Sequence, residues 1–227
     1  MDTPYKEIDY KGMSIKIYVD YDAESPREWD NIGTIYSRHR DYNPDKHRLD
    51  ELWERFYWWE NNENKELEDY LNKFYYWLPI GYYEHGGITV WAGNPRNDWD
   101  SGTFGVIAVR KEDAKKEFPK QTKTKTLKYL EGEIKDLDMW YTNDVYGFVA
   151  EDEEGEHIDS CWGFFGDSSM DEMIAQAKSA IDDELERRAK EEREAFISAL
   201  SRHLARRKEQ IKSHAPLYAR TAFAFEY

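Results

Sequence analysis

The chain has 227 residues, 35% of them charged and 16% aromatic, and a formal net charge of −15. A single cysteine excludes an internal disulfide and any Cys-based zinc site. No apolar run approaches the ~20 residues that a membrane-spanning helix needs, and no signal-peptide pattern opens the chain, so the expectation is a protein of the cytoplasm. The acidity is concentrated: residues 131–173 hold 14 acids against one lysine, whereas residues 111–130 hold seven lysines against three acids. A surface built for duplex nucleic acid would carry the opposite overall sign, which argues against direct nucleic-acid binding.

Ile15, Ile17 and Val19 alternate with Lys16, Tyr18 and Asp20, the period of a strand with one buried face. Asp20, Asp22 and Glu24 leave that strand at alternate positions, either as ligands for a hard cation such as Mg²⁺ or Ca²⁺ or as a solvated turn. Ser25-Pro26-Arg27-Glu28 reads as a capping box with proline at the first helical position, opening a short helix that Gly33 ends. Arg38, His39 and Arg40 then offer either an anion site or partners for the acids across a sheet.

Asn43-Pro44 predicts a helix to about Glu60, and a second from about Glu63 to Leu78, closed by Pro79. The two make a hairpin with an aromatic seam, read as core or interface in preference to a base-stacking platform. Strands over Ile88–Ala92 and Thr103–Arg110 form a hairpin whose polar tip carries Asp98, Trp99 and Asp100, loop residues suited to recognition. The lysine-rich stretch from Lys111 reads as a linker and helix start. A helix from about Thr126 then places Leu127, Leu130, Ile134, Leu137 and Tyr141 on one side, with Glu131, Glu133, Asp136 and Asp138 off that stripe and in water.

The clearest hairpin runs from Val145 and returns to Phe164 around an acidic turn of Glu151, Asp152, Glu153, Glu154 and Glu156. Cys161 has no activating neighbour in sequence and reads as structural. Ser168-Ser169 caps a helix reaching about His214, with one apolar stripe from Met170 to Leu185 and another from Phe196 to Ile211. The almost wholly charged stretch between them fits either two helices or one with a bare waist. Such a projecting helix invites a homodimer, and Arg202, Arg206, Arg207, Lys208 and Lys212 give its end a basic surface. Pro216 is expected to end it, and Phe223, Phe225 and Tyr227 alternate as a last strand. The fold class is therefore α+β: a mostly antiparallel sheet with aromatic-rich helices on it. Residues 1–167 form the core domain and 168–227 the helical extension.

Two pieces carry a resemblance. Asp22-Ala23-Glu24-Ser25-Pro26-Arg27-Glu28-Trp29-Asp30-Asn31-Ile32-Gly33-Thr34 is similar to a signature in uncharacterised proteins of phages and related mobile elements. Asn143-Asp144-Val145-Tyr146-Gly147-Phe148 and Asp159-Ser160-Cys161-Trp162-Gly163-Phe164-Phe165-Gly166-Asp167 resemble a second piece of the same family. The resemblance transfers no catalytic residue. It implies an accessory gene acting inside an infected host cell, where inhibitors of host defence are frequent.

No phosphate-cradling glycine loop, dinucleotide fingerprint, His-Glu-x-x-His or nucleophile elbow is present, so neither a cofactor nor a catalytic set is expected. The functional expectation is a non-enzymatic inhibitor of the anti-CRISPR or anti-restriction type. Its acidic row, mimicking nucleic acid, would compete for a host defence effector. The alternatives are a metal-dependent enzyme built on Asp20, Asp22 and Glu24, and a dimeric regulatory or structural protein that uses the basic end of its last helix.

Overall fold

The computed structural model describes residues 3–49 and 65–221, the side chains of 65–66 and 212–221 excepted. It is an α+β protein with two sheets. Strands β1 (Lys6–Tyr10), β2 (Met13–Val19), β8 (Val145–Glu151) and β9 (His157–Phe165) form an all-antiparallel sheet in the order β1-β2-β8-β9. Strands β3 (Thr34–Ser37), β4 (His47–Arg48), β5 (Tyr75–Glu84), β6 (Ile88–Ala92) and β7 (Ser101–Arg110) form the other, ordered β4-β3-β7-β5-β6. Among the described residues four helices complete the set: α1 (Lys65–Phe74), α2 (Lys111–Glu117), α3 (Thr122–Tyr141) and α4 (Met170–Thr221).

The first sheet buries one face against α4. Met13, Ile15 and Ile17 of β2 and Phe148 and Ala150 of β8 pack on Met173, Ala177 and Ile181. Strand β1 is an addition to the sequence reading: Lys11 and Gly12 both have positive φ, which lets a two-residue turn pair Tyr10 with Met13 in the twist that hairpins favour. The second sheet is covered on both sides. Its centre, β7, is buried from Phe104 to Val109; Ile107 packs with Ile80, Leu130, Ile134 and Leu137 on the α3 side, and Val106 and Ala108 with Leu67 and Leu71 on the α1 side. Burial on two faces replaces alternation by a continuous apolar run.

Three expectations fail here. The helix expected to reach Leu78 stops at Phe74, and Tyr75–Glu84 is a strand, because the run Tyr-Tyr-Trp-Leu-Pro-Ile-Gly-Tyr-Tyr consists mostly of strand formers whose spacing mimics a helical face. Pro79 does not close anything. Its carbonyl accepts from the Gly93 amide at 2.8 Å, so its nitrogen points to the same side, where β6 has already ended at Ala92, and no ladder bond to β7 is lost. Strand β6 pairs with β5 rather than with β7: Glu84 meets Ile88 across His85-Gly86-Gly87, and β5 lies between the two strands expected to form a hairpin.

Asn43-Pro44 opens a turn followed by β4, not a helix, and the rest of that expected helix lies outside the described residues. The basic island is α2, a break at Phe118-Pro119, and the first turns of α3. Helix α4 is one element, and its backbone runs through Pro216 to Thr221 at the cost of one helical hydrogen bond. The expected last strand over Phe223, Phe225 and Tyr227 lies outside the described residues.

Candidate functional site

The Ser25–Thr34 stretch proves architectural. It makes only a three-residue 3-10 turn, Pro26–Glu28, with the Ser25 hydroxyl accepting from the Arg27 amide rather than from Glu28. This turn aims Arg27 inward, where its side chain is 3% exposed. All five guanidinium N–H donors are used. Two go to Asp45 (2.7 and 2.8 Å), one to Glu133 (2.8 Å), one to Asn31 (3.1 Å) and one to the Gly33 carbonyl (2.7 Å). The other Glu133 oxygen accepts from the amides of Ile32 and Gly33, at 2.9 and 3.1 Å. Asp45 accepts in addition from Ile35 at 2.7 Å. One cation thus ties the 25–37 segment to the turn before β4 and to α3. Burial pushes the Glu133 carboxyl above the usual carboxylate range, against the pull of Arg27 and the two amides. Gly33 keeps this crossing close: a Cβ there would stand 2.5 Å from a Leu130 methyl and 2.8 Å from Ile107, so those side chains would have to shift.

Glu133 therefore leaves the proposed acidic face. It sits three residues after Leu130 and four before Leu137, so helical geometry puts it on the buried stripe. Asp138 also turns inward, accepting from the Thr89 hydroxyl at 2.6 Å and the Val90 amide at 2.8 Å, which satisfies a donor on β6, the edge strand of its sheet. Asp136 lines a groove of about 510 Å³ with Trp29, Phe118, Tyr129, Lys125 and Lys128, and burial raises its carboxyl pKa. Of the four α3 acids, Glu131 alone is exposed.

The hairpin turn divides in the same way. Glu151 pairs with Lys16. Asp152 is 7% exposed. It accepts from Arg188 of α4 at 2.6 Å and caps its own turn through the amides of Glu154 and Glu156. The Arg188 guanidinium and those amides hold its carboxyl below the usual range. Arg188 also meets Glu184, which Arg187 and Arg188 together hold at about 2. Glu153, Glu154 and Glu156 stay exposed, with no ion pair among the described residues. The row expected over nine carboxylates is thus four exposed acids, one on α3 and three at the far end of the other sheet's hairpin.

The metal reading finds no support in the placement of its residues. Asp20 accepts from the Gly163 amide at 3.2 Å, Asp22 and Glu24 are exposed, and among the described residues no three His, Cys, Asp or Glu side chains form a metal-holding group. His39 is buried against Tyr42, Tyr82 and Phe104; its Nδ1 accepts from the Asp41 and Tyr42 amides, and its Nε2 lies 3.4 Å from Glu84. In the β6–β7 loop Trp99 is fully exposed, Asp98 is exposed, and Asp100 lies 3.3 Å from His85.

Among the described residues, the large apolar side chains that none of the body packs against lie on the distal part of α4. Its first turns are held by the sheet through Met173, Ala177 and Ile181, and its last tie to the hairpin is Arg188. From Ala189 to Ile211 every residue is exposed. That span is ~34 Å at 1.5 Å per residue. It carries Phe196, Ile197, Leu200, Leu204 and Ile211, at 46–69% exposure, on a face turned by nearly half a revolution from the buried stripe. Sequence spacing shows both stripes; it does not show that, among the described residues, the body packs on the first and leaves the second exposed. No helix among the described residues is long and apolar enough to cross a membrane, so this stripe is not a bilayer span. Comparison of the chain with family models, with curated proteins and with solved structures finds no match in any of the three.

Proposed function

We propose that this protein acts by binding a macromolecular partner, with the projecting part of α4 as its contact element. The observation that carries this reading is the row of five large apolar side chains between Phe196 and Ile211, exposed on a stretch of helix that no other described residue covers. Contiguous exposed apolar surface of this kind marks interaction sites, and a helix presenting anchors at such spacing suits a helical or groove-shaped partner. The test is affinity capture with the native chain and with the Leu200→Asp/Leu204→Asp double variant. Loss of bound partners from the variant, with the body still folded, carries the reading; full retention overturns it.

A second reading keeps the anti-defence expectation on a smaller footprint. Glu153, Glu154 and Glu156 cluster at one exposed turn, and that turn is stiffened by the Asp152 cap and its tie to Arg188. A rigid triplet of carboxylates is a fit for a cationic groove on a nucleic-acid-binding host effector. Changing all three to lysine should abolish competition with DNA or RNA for such an effector. Unchanged competition removes this reading and leaves the helix.

A further inference from the structure

We infer that α4 pairs with α4 of a second copy of this chain as an antiparallel two-stranded coiled coil, in the register that sets Leu200 of one copy against Leu204 of the other. The inference rests on α4 being the contact element and adds the partner, the sense and the register. Ile197, Leu204 and Ile211 recur at seven-residue intervals, with Leu200 and Arg207 at the intervening d positions. That is the seam of a coiled coil, not the broader face of a helix lying on a sheet. The chosen register places two Leu200–Leu204 layers at the centre. On each side Ile197 meets the aliphatic stem of Arg207, whose charged head reaches water.

Charge decides the sense. Between Arg202 and Lys208 there are four positive side chains and no acid, while Glu191, Glu192 and Glu194 surround a single Arg193. Parallel pairing would lay the basic stretch along its own copy and set the two acidic bodies side by side, both repulsive. Antiparallel pairing sends the bodies to opposite ends. It also brings position e beside position e of the second copy, so that Glu194 flanks Lys208 twice by symmetry. A foreign helix could match the apolar seam, but the self-complementary placing of Glu194 and Lys208 about Leu200–Leu204 selects a second copy.

Sedimentation of the full chain, with Cys161→Ser to remove the native thiol, tests the pairing. The expected result is a reversible dimer, weakened about tenfold as salt rises past about 0.5 M and by Lys208→Glu, restored by adding Glu194→Lys, and abolished by Leu200→Asp. Ser201→Cys, at the e position nearest the two-fold, should then form an intermolecular disulfide under mild oxidant, and Leu204→Cys should not. Cross-linking through Leu204→Cys alone overturns the antiparallel sense. A monomer at every concentration overturns the self-pairing while α4 stays a contact element if the Leu200→Asp/Leu204→Asp variant still loses captured partners. Loss of neither association nor capture overturns both.

Discussion

Residues 25–45 and residues 189–211 hold the same kinds of side chain under opposite conditions. Around Arg27 the charges are buried and every donor has an acceptor, so the segment is rigid and each partner depends on the others. Along the far part of α4 the charges lie in water and the large apolar groups lie there with them. A buried ion pair is expensive to break but contributes little over an apolar core, so its use is to specify one geometry. An exposed apolar row contributes nothing to the monomer and gains only when covered. The first region explains why the body has its shape; the second is where the molecule has binding free energy still to gain.

That contrast can be broken at its strong end first. Arg27→Met leaves Glu133 and Asp45 buried without their cation, and should lower stability by about 3–5 kcal/mol in urea unfolding. A loss below 1 kcal/mol would show that the network is not what holds the 25–37 segment. Gly33→Ala, which drives a methyl into Leu130 and Ile107, should cost about 1–3 kcal/mol by the same measurement. Leu200→Asp, in contrast, should move the unfolding free energy of the body by less than about 0.5 kcal/mol when measured at a concentration where the chain is monomeric, because the side chain is then already in water.

The smallest expected effect concerns the clamp between the acidic turn and α4. Arg187 and Arg188 hold Glu184 at about 2 against an ordinary 4.5, and Arg188 with the turn amides holds Asp152 below 3.8. Carboxylates depressed by folding stabilise the folded form above their ordinary values, and that contribution is lost as pH falls through the folded ones. Hydrogen-exchange protection of the 153–156 amides should therefore be flat above about pH 5 and decline as pH drops toward about 2. Protection that rises with acid would place the clamp elsewhere.

The alternation of Ile15, Ile17 and Val19, the hairpin around Gly155 and both stripes of α4 were legible in the sequence, since each is a local period that burial enforces. Glu133 was legible too, by its three- and four-residue spacing to Leu130 and Leu137: its position on the stripe, not its charge, decides that it is buried. The α1–β5 boundary was not, because Tyr70, Phe74, Trp77 and Leu78 satisfy a helical period that pairing with β7 overrides.

By itself, then, the sequence determined the fold class, the acid and base segments and the presence of a long last helix, because composition and periodicity are properties of neighbours along the chain. Tertiary structure alone decided which carboxylates face water, that Arg27 reaches Asp45 and Glu133, and where the body lets go of α4. Those outcomes depend on groups far apart along the chain, 106 residues for Arg27 and Glu133 and 135 for Lys16 and Glu151, and on whether a cation or an amide happens to stand within hydrogen-bond reach.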